Sequence, residues 1–155
     1  MRYLMLIRDF IKEDIPSLIK LGRQMHGESS YSHLNFDDEK IEDMGTLWLL
    51  NPEIYFCRIA ENNNKEIFAM YVGLISSYYF GKDLVANDLL MFVAPDRRGG
   101  LAAAKLIKEF EDWAKANGAA EVRPASSTGV KTEETMKLYE ALGYKTVGHT
   151  FNKRL

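Results

Sequence analysis

The chain has 155 residues, 46% of them hydrophobic, with 20 basic against 22 acidic side chains and a formal net charge of -2. That size and apolar content suit one domain spanning residues 1–155, able to bury a core without disulfides or metals. The balanced charge offers no whole-molecule attraction for nucleic acid or an anionic membrane, so any anion site must be local.

Met1 to Phe10 begins as a short strand with apolar alternation, and Lys12-Glu13-Asp14-Ile15-Pro16 opens a helix with acids and a proline in its first turn. Ile15, Leu18 and Ile19 keep helical spacing, and the helix ends between Gly22 and Gly27. The segment from Gly27 to Phe36 is polar and aromatic and reads as a loop. Asp37-Asp38-Glu39 then starts a second helix carrying Ile41, Met44, Leu47 and Trp48, closed by Asn51-Pro52. Two strands follow, Ile54–Ala60 and Glu66–Phe80, joined by a turn at Asn62-Asn63-Asn64 and predicted to form an antiparallel hairpin. The only cysteine, Cys57, lies in the first of them. It excludes an internal disulfide, reads as a buried structural thiol, and suits a reducing, cytoplasmic setting.

Asp88–Val93 is a short, almost wholly apolar strand, as expected of one covered on both faces. Leu101–Asn117 is an amphipathic helix with Leu106, Ile107, Phe110, Trp113 and Ala114 on one stripe, stopped by Asn117-Gly118. Ala119–Ala125 reads as a strand, Thr132–Leu142 as a helix and Tyr144–Phe151 as a last strand. The order β-α-α-β-β-β-α-β-α-β predicts a mixed α/β sheet with helices on both faces, and its two helical crossovers in the second half predict parallel neighbours at the middle of an otherwise antiparallel sheet. No apolar run is long enough for a membrane span, and no leader with a cleavage site opens the chain, so no membrane partner is expected.

The junction Val93-Ala94-Pro95-Asp96-Arg97-Arg98-Gly99-Gly100-Leu101-Ala102-Ala103 joins an apolar strand to a helix start. Unbonded amides in a first helical turn, permissive glycines, small alanines and two arginines together make a site for phosphate. A plain tight turn shows the same generic pattern. No Lys-Ser or Lys-Thr follows the glycines and no G-x-G-x-x-G follows the first strand, which excludes the two best-known phosphate loops. His26 and His33 have no further ligands at metal spacing, so no metal site is expected.

That junction, with Leu138-Tyr139-Glu140-Ala141-Leu142-Gly143-Tyr144 further on, resembles the GNAT superfamily of acetyl-coenzyme A-dependent N-acetyltransferases. The predicted element order agrees with that family's fold. The resemblance implies acetyl-CoA as cosubstrate and a pyrophosphate loop written Q/R-x-x-G-x-G/A. Two registers fit this loop, one from Arg98 with Leu101 and Ala103 at the small positions, the other from Arg97 with Gly100 and Ala102. It also implies that Met91, Phe92 and Val93 lend main-chain groups to the pantetheine arm, and that Thr132 contacts the coenzyme where the family often has asparagine. Tyr139 matches the tyrosine near the coenzyme sulfur and Asp88 a carboxylate that serves as base. Glu28, Ser29 and Tyr31 fall in the region lining the acceptor pocket, and Ser126-Ser127-Thr128 faces either acceptor or coenzyme. The expected reaction is direct acetyl transfer to a small-molecule or peptide amine, and a homodimer through the aromatic run Tyr71–Phe80 is a further expectation. A GNAT-like domain that binds coenzyme or a partner without turnover, and a phosphometabolite-binding domain, remain the alternatives.

Overall fold

The computed structural model describes residues 4–155, so the first three residues of the expected opening strand lie outside the described part. Strands β1 (Leu6–Asp9), β2 (Tyr55–Glu61), β3 (Ile67–Ser77), β4 (Leu84–Val93) and β5 (Ala119–Arg123) form one sheet in that spatial order. The first three pairings are antiparallel and β4–β5 is parallel. A parallel pair needs a crossover, and α3 (Ala102–Ala116) supplies it. Helices α1 (Ile15–Glu28) and α2 (Asp38–Leu50) connect β1 to β2, and α4 (Thr132–Ala141) follows β5. The parallel pair therefore lies at the sheet's edge rather than at its middle.

Alternation along β3 sends side chains to two cores. Met70 and Val72 pack with Leu18, Leu21 and Trp48 of α1 and α2. Tyr71 packs with Leu106, Ile107 and Phe110 of α3 and Tyr139 of α4. Both faces of the sheet are thus covered, as the element order implied. A Cβ on Gly73 would sit 2.4 Å from the Phe110 ring, so this glycine is what lets α3 lie directly on the strand.

On the far side, Arg8 ties β1 to its surroundings. Its guanidinium donates to both carboxylate oxygens of the buried Asp14, at 2.7 and 3.0 Å, and to Glu61 at 3.0 and 3.1 Å. Asp14 also accepts the Ile11 N–H at 2.9 Å, so a carboxylate taken out of water has its lone pairs filled.

The strand expected over Tyr144–Phe151 is not formed, and nothing after Ala141 is paired as a strand. From Lys145 onward every side chain is exposed, including Val147 at 68% and Phe151 at 89%. Within the expected strand these are the two apolar residues that share a face, too little buried surface to fix its register. No helix among the described residues is long and apolar enough to cross a membrane.

Candidate functional site

The site begins where β4 and β5 part. Their parallel pairing runs from Leu84 opposite Ala119 to Asn87 opposite Arg123 and stops. Two local causes coincide. Pro124 has no N–H to extend the ladder. On β4 the register passes from Asp88, opposite Gly73, to Leu90, opposite Val72, leaving Leu89 as a bulge that bends the strand. Just past the split, Asp88 Oδ1 accepts the Ala125 N–H at 2.9 Å. Burial pushes the Asp88 carboxyl up to about 6, with the Ala125 N–H pulling the other way.

Between the diverging segments lies a cleft of about 600 Å3, walled by Asp88–Val93 on one side and Ala125–Thr128 on the other. Arg97, Arg98, Gly99, Gly100 and the first helical residues Ala102 and Ala103 also line it. Gly99 has a φ of +87°, a conformation that glycine adopts freely, and it turns the chain into the helix start. The first amides of α3 therefore open onto the cleft with only methyl side chains beside them, the arrangement that favours an anion.

The two arginines differ. Arg98 donates through Nε to the Val93 carbonyl at 3.0 Å and through Nη1 and Nη2 to both oxygens of Glu28, at 3.1 and 2.6 Å. The hydrogen bonds from Arg98 hold the Glu28 carboxyl below its usual range. Among the described residues the one carboxylate that Arg97 meets is Asp96, at 3.9 Å, and it lies over the Phe68 ring. Arg97 is thus the less committed charge, whereas Arg98 fastens the end of α1 to the end of β4.

A second hollow of about 1060 Å3 lies on the other side of the Ala125–Ser127 segment, which lines both. Tyr31, Asn87, Arg123 and Tyr139 contribute to it. Tyr139 is 8% exposed, stands edge-on to Tyr144, and brings its hydroxyl within 4.0 Å of Met91 Sδ at the cleft wall. Burial, with the nearby Asp88 charge, pushes its phenol up, so it is protonated at neutral pH.

Most of the sequence-derived candidates converge: Asp88, Met91, Phe92, Val93, Arg97, Arg98, Gly99, Gly100, Ala102 and Ala103 all line the cleft. The Val93 carbonyl, however, is already taken by Arg98. Leu101 is the residue before α3, with its side chain 68% exposed and outside the lining, so it obstructs neither loop register. Thr132 faces the second hollow rather than the cleft. Of Glu28, Ser29 and Tyr31 only Tyr31 lines that hollow, while Ser126 and Ser127 line both cavities and Thr128 the cleft alone; Glu28 is engaged by Arg98, and Ser29 is buried, its Oγ donating to the His26 carbonyl and accepting from the Tyr31 N–H. Lys131 and Leu138 also line the cleft. A lysine before a helix and a leucine on its apolar stripe carry no pattern that would single them out. Cys57 is largely buried and burial pushes its thiol up, which suits packing rather than nucleophilic attack.

No curated protein matches the sequence. Several solved structures share the fold. The aminoglycoside N-acetyltransferase AAC(6')-Iy in complex with a bisubstrate analogue superposes with a TM-score of 0.79 at 19% identity, covering 98% of each chain. Glucosamine-6-phosphate N-acetyltransferase from Arabidopsis thaliana gives 0.77 at 18% identity, over 97% of this chain and 98% of that one. A predicted acetyltransferase from Clostridium acetobutylicum, solved with acetyl-CoA, gives 0.75 at 19%, over 97% and 96%. The sequence model of the acetyltransferase (GNAT) domain matches residues 52–146, from the start of the β2–β3 hairpin through the cleft to the end of α4 and just beyond. With that match over more than half its length, and with a strand split feeding a glycine-marked helix start, this chain belongs to the GNAT acetyltransferase family.

Proposed function

We propose that the protein is an N-acetyltransferase that takes acetyl-CoA in the cleft between β4 and the segment after β5, and passes the acetyl group directly to a primary amine entering from the second hollow. The observation that carries this reading is the junction: two cavities share Ala125–Ser127, with Asp88 on the cleft side and Tyr139 on the other.

The residues fit the cosubstrate on their own features. Arg97 and the first amides of α3 suit a pyrophosphate, and the edge of β4 beyond Asn87 has no strand partner, so its main-chain groups suit an amide-bearing arm laid alongside. Bound there, acetyl-CoA supplies an acetyl thioester. Asp88, with its carboxyl at about 6, is ionised at neutral pH and takes the proton from the amine. Tyr139, whose neutral O–H comes within 4.0 Å of Met91 Sδ at the cleft wall, would serve as proton donor to the leaving thiolate. The buried Cys57 gives no acyl-enzyme route, so the transfer is direct.

The hollow that receives the acceptor carries Tyr31, Asn87 and Arg123 beside acidic Glu121 and Glu140. That mixed lining suits a small or peptide amine carrying polar groups. The test is release of free thiol from acetyl-CoA with spermidine, an aminoglycoside, glucosamine 6-phosphate, and a peptide bearing a free N-terminus and lysine. Thiol release dependent on one of these amines is expected; coenzyme binding without release across all of them would contradict turnover.

A further inference from the structure

Tyr71 lies in the middle of β3 with no exposed surface, and its hydroxyl has no hydrogen-bond partner among the described residues. A buried O–H left without a partner is costly, and phenylalanine would fill the same place against Phe56 and Phe110, whose ring centroids are 5.9 and 4.8 Å away, without that cost. The hydroxyl therefore calls for a reason other than packing.

The register locates it. Tyr71 is paired with Met91 across β3 and β4, so both side chains leave the sheet on the same face. Tyr139, reaching down from α4, meets Met91 Sδ at 4.0 Å. Tyr71, Met91 and Tyr139 thus converge over one patch of sheet, within the same core cluster. Burial first, and then the neighbouring Tyr139 and Asp88, the two residues assigned to proton transfer above, push the Tyr71 phenol up, so it keeps its own proton.

We propose that Tyr71 is a positioning residue for Tyr139: its O–H, without a partner in the resting protein, turns to Tyr139 Oη as the Tyr139 proton is given up and holds the phenolate that is left. The inference rests on the reading of Tyr139 as the proton donor. As the nitrogen–carbon bond forms and the carbon–sulfur bond breaks, the amine proton goes to the Asp88 carboxylate and the Tyr139 proton to the departing sulfur. Tyr71 keeps its own proton throughout, and the proton on Asp88 returns to Tyr139 through solvent. A hydrogen bond to a phenolate is stronger than one to a neutral phenol, so the contact gains strength as the proton leaves.

The test compares Tyr71→Phe, Tyr139→Phe and the double variant, using acetyl-CoA and whichever of the four amines releases thiol fastest. Tyr71→Phe is expected to lower kcat about tenfold, the worth of one charge-assisted hydrogen bond, with the KM for acetyl-CoA unchanged. Because it removes an unpartnered hydroxyl, it is expected to melt at or above the wild-type temperature. Tyr139→Phe is expected to be slower still, and the double variant no slower than Tyr139→Phe alone, because Tyr71 acts only through Tyr139. A wild-type kcat for Tyr71→Phe, additive slowing in the double variant, or a lower melting temperature for Tyr71→Phe overturns the inference and leaves the role of Tyr139 intact. A wild-type kcat for Tyr139→Phe overturns the reading of Tyr139, and the inference with it.

Discussion

Asp88 owes its character to its place at the strand split. Half-buried, it is raised to about 6 because burial disfavours its charge more than the Ala125 N–H favours it. In the proposed role of base it must be ionised, so kcat/KM is predicted to rise with pH through about 6 and then level off. Asp88→Asn is predicted to abolish that limb and lower kcat by about 100-fold, the lower end of what general-base catalysis contributes. The stability effect has the opposite sign. A carboxyl whose folded value exceeds its unfolded one holds its proton more tightly in the native state, so its stabilising contribution is complete below the unfolded value and lost as pH rises through about 6. At pH 7 Asp88→Asn, which still offers an oxygen to Ala125, is predicted to melt no lower than the wild type. A flat pH profile in the wild type would contradict the assignment. Asp88 and Tyr139 were legible from the sequence only through the family resemblance, since a strand-leading acid and a tyrosine on an apolar helix face are ordinary features. Tyr71 was not legible, because within an apolar strand nothing distinguishes a tyrosine whose hydroxyl lacks a partner.

Among the elements, the strand–turn–helix from β4 to α3 was the most readable. Apolar continuity, Pro95, paired glycines and a helical stripe each have a local cause, and the end of β4 at Val93 and both ends of α3 fall within a residue of the reading. Its link to α1 is tertiary: Arg98 spends its guanidinium on Glu28 and Val93, positions that no spacing rule connects. The neighbouring arginines are therefore predicted to behave differently. Arg97→Ala removes the freer charge and should weaken acetyl-CoA binding about tenfold in a calorimetric titration, with little change in melting temperature. Arg98→Ala leaves Glu28 without its partner and unfastens α1 from β4. It should lower stability by about 1–2 kcal/mol, the range of a partly exposed, bidentate pair, seen as a lower melting temperature before any coenzyme is added. Equal effects of the two substitutions on both measurements would contradict this division.

Across the whole molecule, helices on both faces and a parallel β4–β5 pair within an antiparallel sheet followed from the order of elements, because crossover chemistry leaves few alternatives. Two features did not. β4 begins at Leu84 rather than Asp88, since pairing to β3 and β5 extends it through residues that look like the exit from a turn. The segment after Tyr144 alternates enough to suggest a strand, yet Val147 and Phe151 find no wall to pack on, and alternation without burial does not hold a strand in place. The opening between β4 and the segment after β5, proposed as the coenzyme cleft, is tested by thermal unfolding with increasing acetyl-CoA. A ligand held only by the folded state adds about 2.7 kcal/mol at a hundredfold excess over its dissociation constant, so the melting temperature is predicted to climb continuously with concentration. A melting temperature that stays constant up to millimolar acetyl-CoA would contradict the claim.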